Sequence, residues 1–319
     1  KNKIFLCYLS VMKKFQITLF FLFIGFVAQS QVKLVVLGTT QDAGSPQAGC
    51  KKECCKNLFE NPDKTRKVFS LGLIDETSKQ KWLFEATPDF PAQIKMLKNS
   101  CNFETSETPD GIFVSHGHIG HYTGLMYLGK EAMGAKEVST YVMPRMKDYL
   151  TNNGPWSQLV KNANIELEEV FAEKPILLSN DVSVIPILVP HRDEYTETIG
   201  FKIITSEKTD LFIPDIDKWE KWEKDIFDEL KQVDYAFLDA TFFDGDELPN
   251  RNMNEIPHPF VVETMKKLEN LATEEKQKLH FIHFNHTNPL LNKESEQFNQ
   301  VFSSGFNVAQ FGKQIVLKK

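Results

Sequence analysis

Three histidines within six residues form the densest cluster of chemically active side chains in the chain. His116, His118 and His121 occur in the segment SHGHIGHYTGL, between an apolar run and a helical pattern. Spacings of two and three residues place the three imidazoles in one turn, close enough to share one or two metal ions. Neutral imidazole is a common ligand of zinc and similar metals. The segment therefore predicts a metal site that uses all three histidines.

Four further metal-binding side chains follow other apolar runs. His191 ends LVPH, Asp215 ends LFIPD, and HFIHFNHTNP supplies His283 and His286. A carboxylate at a strand end, with no base beside it, is suited to bridging two cations. Because all four side chains are expected where strands open into loops along one edge, they indicate a single site. His286 is an alternative to His283 as ligand, or an acid near the leaving group.

Several other polar residues are more simply explained by structural roles, such as capping a helix or forming a turn. Asp239, in FLDATFF, either orients a ligand histidine or caps a turn. His258 precedes a helical pattern, where it lines the cleft or, as we favour, lies at the surface. Asp42 is expected in a turn near the first strand. Glu85 and Asp89 are expected to cap the helix that follows them, with lining the site as the alternative.

Cysteines are concentrated in one short segment, GCKKECC, shortly after the first predicted strand. It contains Cys50, Cys54 and Cys55. In an oxidising compartment a disulfide is one interpretation, and a small structural zinc site is the other. The spacing is not that of a standard two-pair zinc site, so the sequence leaves both open.

The elements that must position these residues follow from apolar and β-branched runs. The runs alternate with helical patterns in the later part of the chain, whereas the early strands are consecutive. This mixture favours two packed sheets with helices outside them. Strands are predicted at 32–38, 70–76, 81–86, 111–116, 183–190, 198–205, 210–215, 235–240 and 279–284. Helices are predicted near 91–99, 124–133, 144–152, 219–232, 259–271 and 293–302.

The N-terminus has the pattern of an export signal. After Met12, which is a plausible initiator, two lysines precede an apolar run from Phe15 to Val27 and then small residues. A run of this length is too short to span about 30 Å of hydrocarbon. We therefore expect residues 1–30 to be an extension plus signal peptide and residues 31–319 to be a single domain. The expected location is periplasmic or secreted, with no membrane span after cleavage.

The amino-acid composition and net charge indicate which kinds of molecule the protein can bind. The 319 residues have 37 basic and 43 acidic side chains, a formal charge of -6, with 41% hydrophobic and 25% charged residues. This is the balance of a globular protein and excludes a disordered or multi-span membrane chain. The first thirty residues hold four lysines and no acid, so the remainder is more acidic still. An acidic body repels a phosphate backbone, so we expect a small-molecule substrate and no nucleic acid.

Taken in order, these motifs resemble the metallo-β-lactamase superfamily of metal-dependent hydrolases. The resemblance covers nearly all of residues 32–317 through SHGHIGH, PHRDEYTETIGF, IPDID and IHFNHT. Within the superfamily the chain looks most like the coenzyme PQQ synthesis protein B family, through LGTTQDAGSPQAGC, LDATFFDGDEL and IHFNHTNPLL. The resemblance implies an α/β fold, an αββα four-layer sandwich, with the metal site along one edge of the sheets.

The resemblance also implies a ligand set. The first metal would be held by His116, His118 and His191, and the second by His121 and His283, with Asp215 between them. His283 is favoured over His286 because IHFN matches the motif position.

One departure concerns the motif His-x-His-x-Asp-His, in which this chain has Gly120 at the aspartate position. The second metal position then lacks an oxygen ligand, so one tightly held metal is as compatible with the sequence as two. On this interpretation Gly120→Asp would restore the missing donor.

Three functions follow as hypotheses. The first is a hydrolase in which a metal-activated water attacks an ester, lactam or phosphodiester, with zinc as the expected metal and iron or manganese as alternatives. The second is an iron-dependent oxygenase step in coenzyme PQQ-type biosynthesis. The third is a metal-binding protein without catalysis. Oligomeric state is left open.

Overall fold

The structure is a computed structural model that describes residues 31–248, 251–252 and 255–319. The predicted signal peptide lies outside the described residues, so export stays a prediction. Within the described ranges no helix is long and apolar enough to cross a membrane.

The described strands form two sheets of seven strands each. The first sheet has the order β14-β1-β2-β3-β4-β5-β6, and the second has the order β13-β12-β11-β10-β9-β8-β7. Their bounds are β1 Val32–Gly38, β2 Ser70–Asp75, β3 Gln80–Phe84, β4 Gly111–Phe113, β5 Val138–Val142, β6 Ile165–Glu169, β7 Ile176–Leu177, β8 Ser183–Leu188, β9 Ile199–Ile204, β10 Thr209–Ile213, β11 Tyr235–Asp239, β12 Leu279–Ile282, β13 Asn307–Val308 and β14 Gln314–Lys318.

Both sheets are mixed. The strands β3 to β6 are parallel, as are β10 to β13, whereas the remaining neighbours pair antiparallel. Parallel neighbours need crossover connections, which the helices provide. The described α-helices are α1 Phe90–Asn99, α2 Ile119–Tyr122, α3 Pro144–Asn152, α4 Trp156–Lys161, α5 Ile226–Lys231, α6 Val261–Lys267, α7 Thr273–Lys276 and α8 Glu296–Ser303.

Alternating side chains build three layers of core. Phe212 of β10 and Phe237 of β11 point into the core between the sheets. Leu211 and Leu238, their sequence neighbours, point to the outer face of the second sheet and pack under helices. A third core lies between the first sheet and its own helices. Because successive side chains of a strand point to opposite faces, each central strand serves two cores. The predicted αββα sandwich is confirmed.

Some elements differ from their predictions. The helix predicted at 219–232 is a 3-10 turn, Trp219–Lys221, followed by the separate helix α5. The indole N–H of Trp219 donates to Thr264 and that of Trp222 donates to the Leu188 carbonyl. Because these two partners belong to different elements, tertiary hydrogen bonds override the local helical pattern. Five strands were not predicted, namely β5, β6, β7, β13 and β14. The sequence of β6, IELEE, has the acidic, half-exposed character of a sheet edge.

The fold brings several strand ends to one place. The strands β10, β11 and β12 are parallel, so their carboxyl ends lie at the same edge of the second sheet. Asp215 follows β10 by two residues, Asp239 ends β11, and His283 follows β12 directly. In the first sheet, His116 follows β4 at the corresponding edge. The ends of β4, β10, β11 and β12 therefore place the candidate ligands close together.

Candidate metal centre

Asp215 is the residue around which the candidate centre is built. It is 3% exposed. Its Oδ2 lies 3.5 Å from Nε2 of His116 and 3.5 Å from Nε2 of His191. With His118 these residues form a group whose donor atoms lie within 4.8 Å of one another. Ligands about 2.0–2.2 Å from one ion have comparable separations, so the group can hold one metal.

His121 approaches Asp215 Oδ2 from a second side. Its Nε2 lies 3.1 Å from that oxygen, and its Nδ1 lies 3.3 Å from Oε2 of Glu85. Burial disfavours the charged ring, but the hydrogen bonds to Asp215 and Glu85 raise the pKa of His121 to about 10. A metal at Nε2 would displace that proton. Of the two alternatives for Glu85, capping a helix and lining the site, the structure shows the second, because Glu85 is fully buried beside the ring of His121.

A second donor group lies on the Oδ1 side of Asp215. It combines Asp215, Asp239, His258 and His283, again with donor atoms within 4.8 Å of one another. Nδ1 of His258 is 3.2 Å from Asp215 Oδ1, and Nδ1 of His283 is 3.8 Å from it. Asp215 therefore has one oxygen toward each group, the arrangement of a bridging carboxylate.

Hydrogen bonds separate orienting residues from ligands in this second group. Asp239 Oδ1 accepts from the backbone N–H and the hydroxyl of Thr241, at 2.9 and 2.7 Å. Its Oδ2 accepts from the Ile216 N–H at 3.2 Å and contacts Nδ1 of His258 at 2.7 Å. Four partners satisfy this carboxylate, which fits the predicted orienting role rather than metal ligation.

Unlike the carboxylate of Asp239, several histidine nitrogens of the centre lack hydrogen-bond partners. Among the described residues, both ring nitrogens of His191 and Nε2 of His283 are buried without a hydrogen-bond partner. Buried polar atoms are ordinarily paired, so such a concentration indicates that these atoms bind something else. The ring centroids of His121 and His283 are 5.9 Å apart, a spacing compatible with two imidazoles on one ion. The residues present fit a metal centre.

The carboxylates of the centre are ionised. Burial alone would raise the pKa of Asp215, but the nearby His191 and His283 outweigh it and hold that pKa well below its usual range. Burial also opposes ionisation of Asp239, and the adjacent His258 lowers its pKa to about 2. Both carboxylates therefore present full negative charge to a cation at neutral pH.

The histidines divide into neutral and charged rings. Burial lowers the pKa of His191 to about 4 and that of His116 well below its ordinary value. Burial acts in the same direction on His258, but the charges of Asp239 and Asp215 raise its pKa to about 10. His116 and His191 are thus neutral, the form that coordinates a metal, whereas His258 carries a proton.

His258 is a site residue for which the sequence favoured the wrong alternative. A surface position was preferred to one lining the cleft, yet His258 is 9% exposed and paired with Asp239. The sequence offered only a lone histidine before a helix, so no local signal distinguished it. Its role depends on the contact with Asp239, which lies 19 residues earlier in the chain.

A separate cluster gathers the cysteines. Cys50, Cys54, Cys55 and His286 have donor atoms within 4.8 Å of one another. The described cysteines are all free, so the structure shows no disulfide among them. Three thiols and one imidazole are a donor set suited to tetrahedral zinc. This placement corrects the expectation that His286 closes the Asp215 centre or acts as its acid, because the loop after His283 turns His286 toward the cysteines.

The comparisons with known proteins agree with this geometry. A sequence profile described as a beta-lactamase superfamily domain matches residues 81–284. The chain belongs to the beta-lactamase superfamily. The matched range includes Asp215 and every histidine around it, but neither Cys50 nor His286.

Individual relatives match over nearly the whole chain. Coenzyme PQQ synthesis protein B of Xanthomonas campestris pv. campestris (strain B100) is 23% identical over 309 residues, covering 90% of this chain and 100% of that protein. The Zn(2+)-bound PqqB from Methylobacterium extorquens has a TM-score of 0.73 at 18% identity, covering 89% of this chain and 99% of its own. A diphosphatase from the PhnP family has a TM-score of 0.64 at 21% identity, covering 91% and 99%. The predicted resemblance to coenzyme PQQ synthesis protein B is confirmed, and at these identities the solved structures establish the fold.

Proposed function

We propose that the protein is a metal-dependent hydrolase of a small molecule, whose centre around Asp215 would hold two divalent metals. The observation that supports this most directly is the position of Asp215 among histidines on both sides. Its Oδ2 faces His116, His121 and His191, and its Oδ1 faces His258 and His283. The diphosphatase with the same fold is a hydrolase by its name, which makes a phosphoester the first substrate class to test.

The ligand assignment follows the resemblance to the superfamily, and the unpaired nitrogens of His191 and His283 support it. We assign the first metal to His116, His118, His191 and Asp215, and the second to His121, His283 and Asp215. When bound, such ions lower the pKa of a coordinated water and polarise the bond to be cleaved. All of the donors are nitrogen or oxygen atoms, which suits zinc and manganese alike.

The chain itself supplies a proton carrier. Asp239 fixes the ring of His258 through a 2.7 Å contact at Nδ1, beside Asp215. With His286 committed to the cysteines, we assign His258 the role of protonating the leaving group. Asp239 holds this ring in position, as the carboxylate of a base–orienter pair does.

The full-length match to coenzyme PQQ synthesis protein B favours a second candidate, an iron-dependent oxygenase step. The two candidates differ in their need for redox-active iron and oxygen. Hydrolysis proceeds on zinc, manganese or iron and uses no oxygen, whereas an oxygenase requires iron and consumes oxygen. Metal content of the full chain, purified without added metal, together with oxygen uptake, separates them.

The hydrolase proposal is tested on the metal-loaded full chain. The substrate panel is bis(p-nitrophenyl) phosphate, p-nitrophenyl acetate and nitrocefin, and the variants are Asp215→Asn and Asp217→Asn. We expect Asp215→Asn to lose bound metal and about 100-fold or more of the hydrolysis rate, because the bridge is removed. Asp217 pairs with Lys221 outside the centre, so its variant is the matched control. Metal content unchanged in Asp215→Asn, or hydrolysis independent of metal, contradicts the proposal.

We also propose that Cys50, Cys54, Cys55 and His286 hold a structural zinc. The four donors leave no open position on a tetrahedral ion, which is typical of structural rather than catalytic sites. Such an ion would tie the segment after β1 to the loop after His283.

A further inference from the structure

The space beside Gly120 is occupied by a residue from another part of the chain. A Cβ built on Gly120 would overlap the Cβ of Asp42 and lie 2.6 Å from its Oδ2. Gly120 does not have a positive φ. The backbone conformation therefore does not require glycine here; the contact with Asp42 does. This corrects the expectation that Gly120→Asp would restore a ligand, because no side chain fits at position 120 while Asp42 is present.

The segment that contains Asp42 is fixed against the loop of the closing histidine. The Gln41 N–H donates to the Phe284 carbonyl at 2.7 Å, and the Phe284 N–H donates to the Thr39 carbonyl at 2.8 Å. Phe284 directly follows His283, and Gly120 directly precedes His121. Asp42 thus stands between the turns that carry the two histidines assigned to the second metal.

We propose that Asp42 supplies the carboxylate ligand of the second metal position, in place of the side chain that is missing at Gly120. This inference rests on the proposed two-metal function. Asp42 Oδ1 accepts a hydrogen bond from Gln41 Nε2, and Oδ2 is the oxygen nearest Gly120. A dication held by His121, His283 and a shared Asp215 gains an anionic donor from Asp42, which strengthens binding. The geometry makes Asp42 and Gly120 a complementary pair.

The first experiment counts manganese ions on the metal-free full chain. Mn²⁺ is the probe because it avoids thiolate sites, so the cysteine cluster does not contribute. Calorimetry measures the affinities, and electron paramagnetic resonance detects the spin coupling of a two-manganese centre. We expect two ions in the wild type. In Asp42→Asn the second ion should bind about 10-fold or more weakly, with the first unchanged. The matched control is Asp148→Asn, which removes the same charge from the exposed face of α3.

The second experiment exchanges the two residues. Gly120→Asp alone should gain no affinity and should lower the melting temperature, because its side chain collides with Asp42. Asp42→Gly should lose the second ion. The double variant Asp42→Gly/Gly120→Asp removes the colliding Cβ and places a carboxylate in the same space, so second-ion affinity should recover about 10-fold or more over Asp42→Gly. Thermal unfolding checks that each variant is folded.

The outcomes distinguish this inference from the proposed function. A wild-type chain that binds no manganese contradicts the hydrolase proposal itself. Two ions in the wild type with unchanged second-ion affinity in Asp42→Asn overturn only the role of Asp42. One ion in the wild type overturns it as well, since a ligand at Asp42 would then have no metal to hold. A folded double variant with no recovery overturns the exchange of positions.

Discussion

Asp215 and Asp239 end neighbouring strands and are both buried, but their partners give them different roles. Asp239 has four hydrogen-bond partners, whereas Asp215 is surrounded by histidine nitrogens, with Nδ1 of His258 3.2 Å from its Oδ1. Thr241 connects the orienting residue to a ligand. Its hydroxyl donates to Asp239, so it accepts from Nδ1–H of His283, 2.9 Å away. This fixes the tautomer that leaves Nε2 of His283 able to coordinate a metal.

At the scale of this residue, Thr241→Val should weaken the second Mn²⁺ by about 10- to 100-fold, because His283 loses the acceptor that orients its ring. Thr241→Ser keeps the hydroxyl and should bind like the wild type. Calorimetric titration of the metal-free chains measures both. Equal affinities in Thr241→Val and wild type would show that the hydroxyl does not orient the ligand.

The strand β10 leads to the candidate metal centre and also contains a buried carboxylate that lowers the stability of the fold. It lies between β9 and β11 in the second sheet and leads directly to Asp215. Asp210, near its start, is fully buried, and neither carboxylate oxygen has a hydrogen-bond partner among the described residues. Burial raises the pKa of Asp210 well above its ordinary value. The folded chain therefore keeps this group protonated where the unfolded chain ionises it.

The raised pKa of Asp210 makes the stability of the fold depend on pH in a definite direction. A raised folded pKa means that the folded state binds more protons, so stability falls as pH rises above the ordinary aspartate pKa of about 4. The loss is about 1.4 kcal/mol per pH unit until the folded group itself ionises. Asp210→Asn does not titrate, so its free energy of unfolding relative to the wild type should rise between pH 5 and pH 8. Urea unfolding at both pH values measures this, with Asp148→Asn as control. An offset that is the same at both pH values would contradict the assignment.

At the scale of the whole molecule, the cysteine cluster connects segments that are distant in sequence. Cys50 to Cys55 follow the first strand, whereas His286 follows β12 in the opposite sheet. A zinc there would fasten the segment containing Asp42 close to the loop containing His283. Zinc binding there would stabilise both the fold and the second metal position.

Cys54→Ser should therefore lose one equivalent of tightly bound zinc and lower the melting temperature of the full chain by several degrees. Cys101→Ser is the matched control, since Cys101 is a free, partly buried cysteine whose thiol contacts the Leu97 carbonyl. Zinc content and thermal unfolding are the measurements. Equal zinc content in the two variants would exclude the structural site.

The sequence by itself determined the features whose signals are local. The spacing of His116, His118 and His121 needs only one turn to become a ligand cluster. Period-two apolar runs specify strands because successive side chains reach opposite faces. The position of Asp215 just after such a run indicated the edge of a sheet. The αββα sandwich followed from the resemblance of these motifs, in this order, to the metallo-β-lactamase superfamily.

Only the tertiary structure decided which distant residues meet. Asp42 fills the space at Gly120, His258 pairs with Asp239, and His286 joins the cysteines instead of the Asp215 centre. Each of these residues is an ordinary loop residue by its local pattern, and no periodicity marks its partner. Their roles arise when the packing of two sheets sets the separation of loops from different strands. Because such contacts depend on the whole chain, they become visible only in the folded molecule.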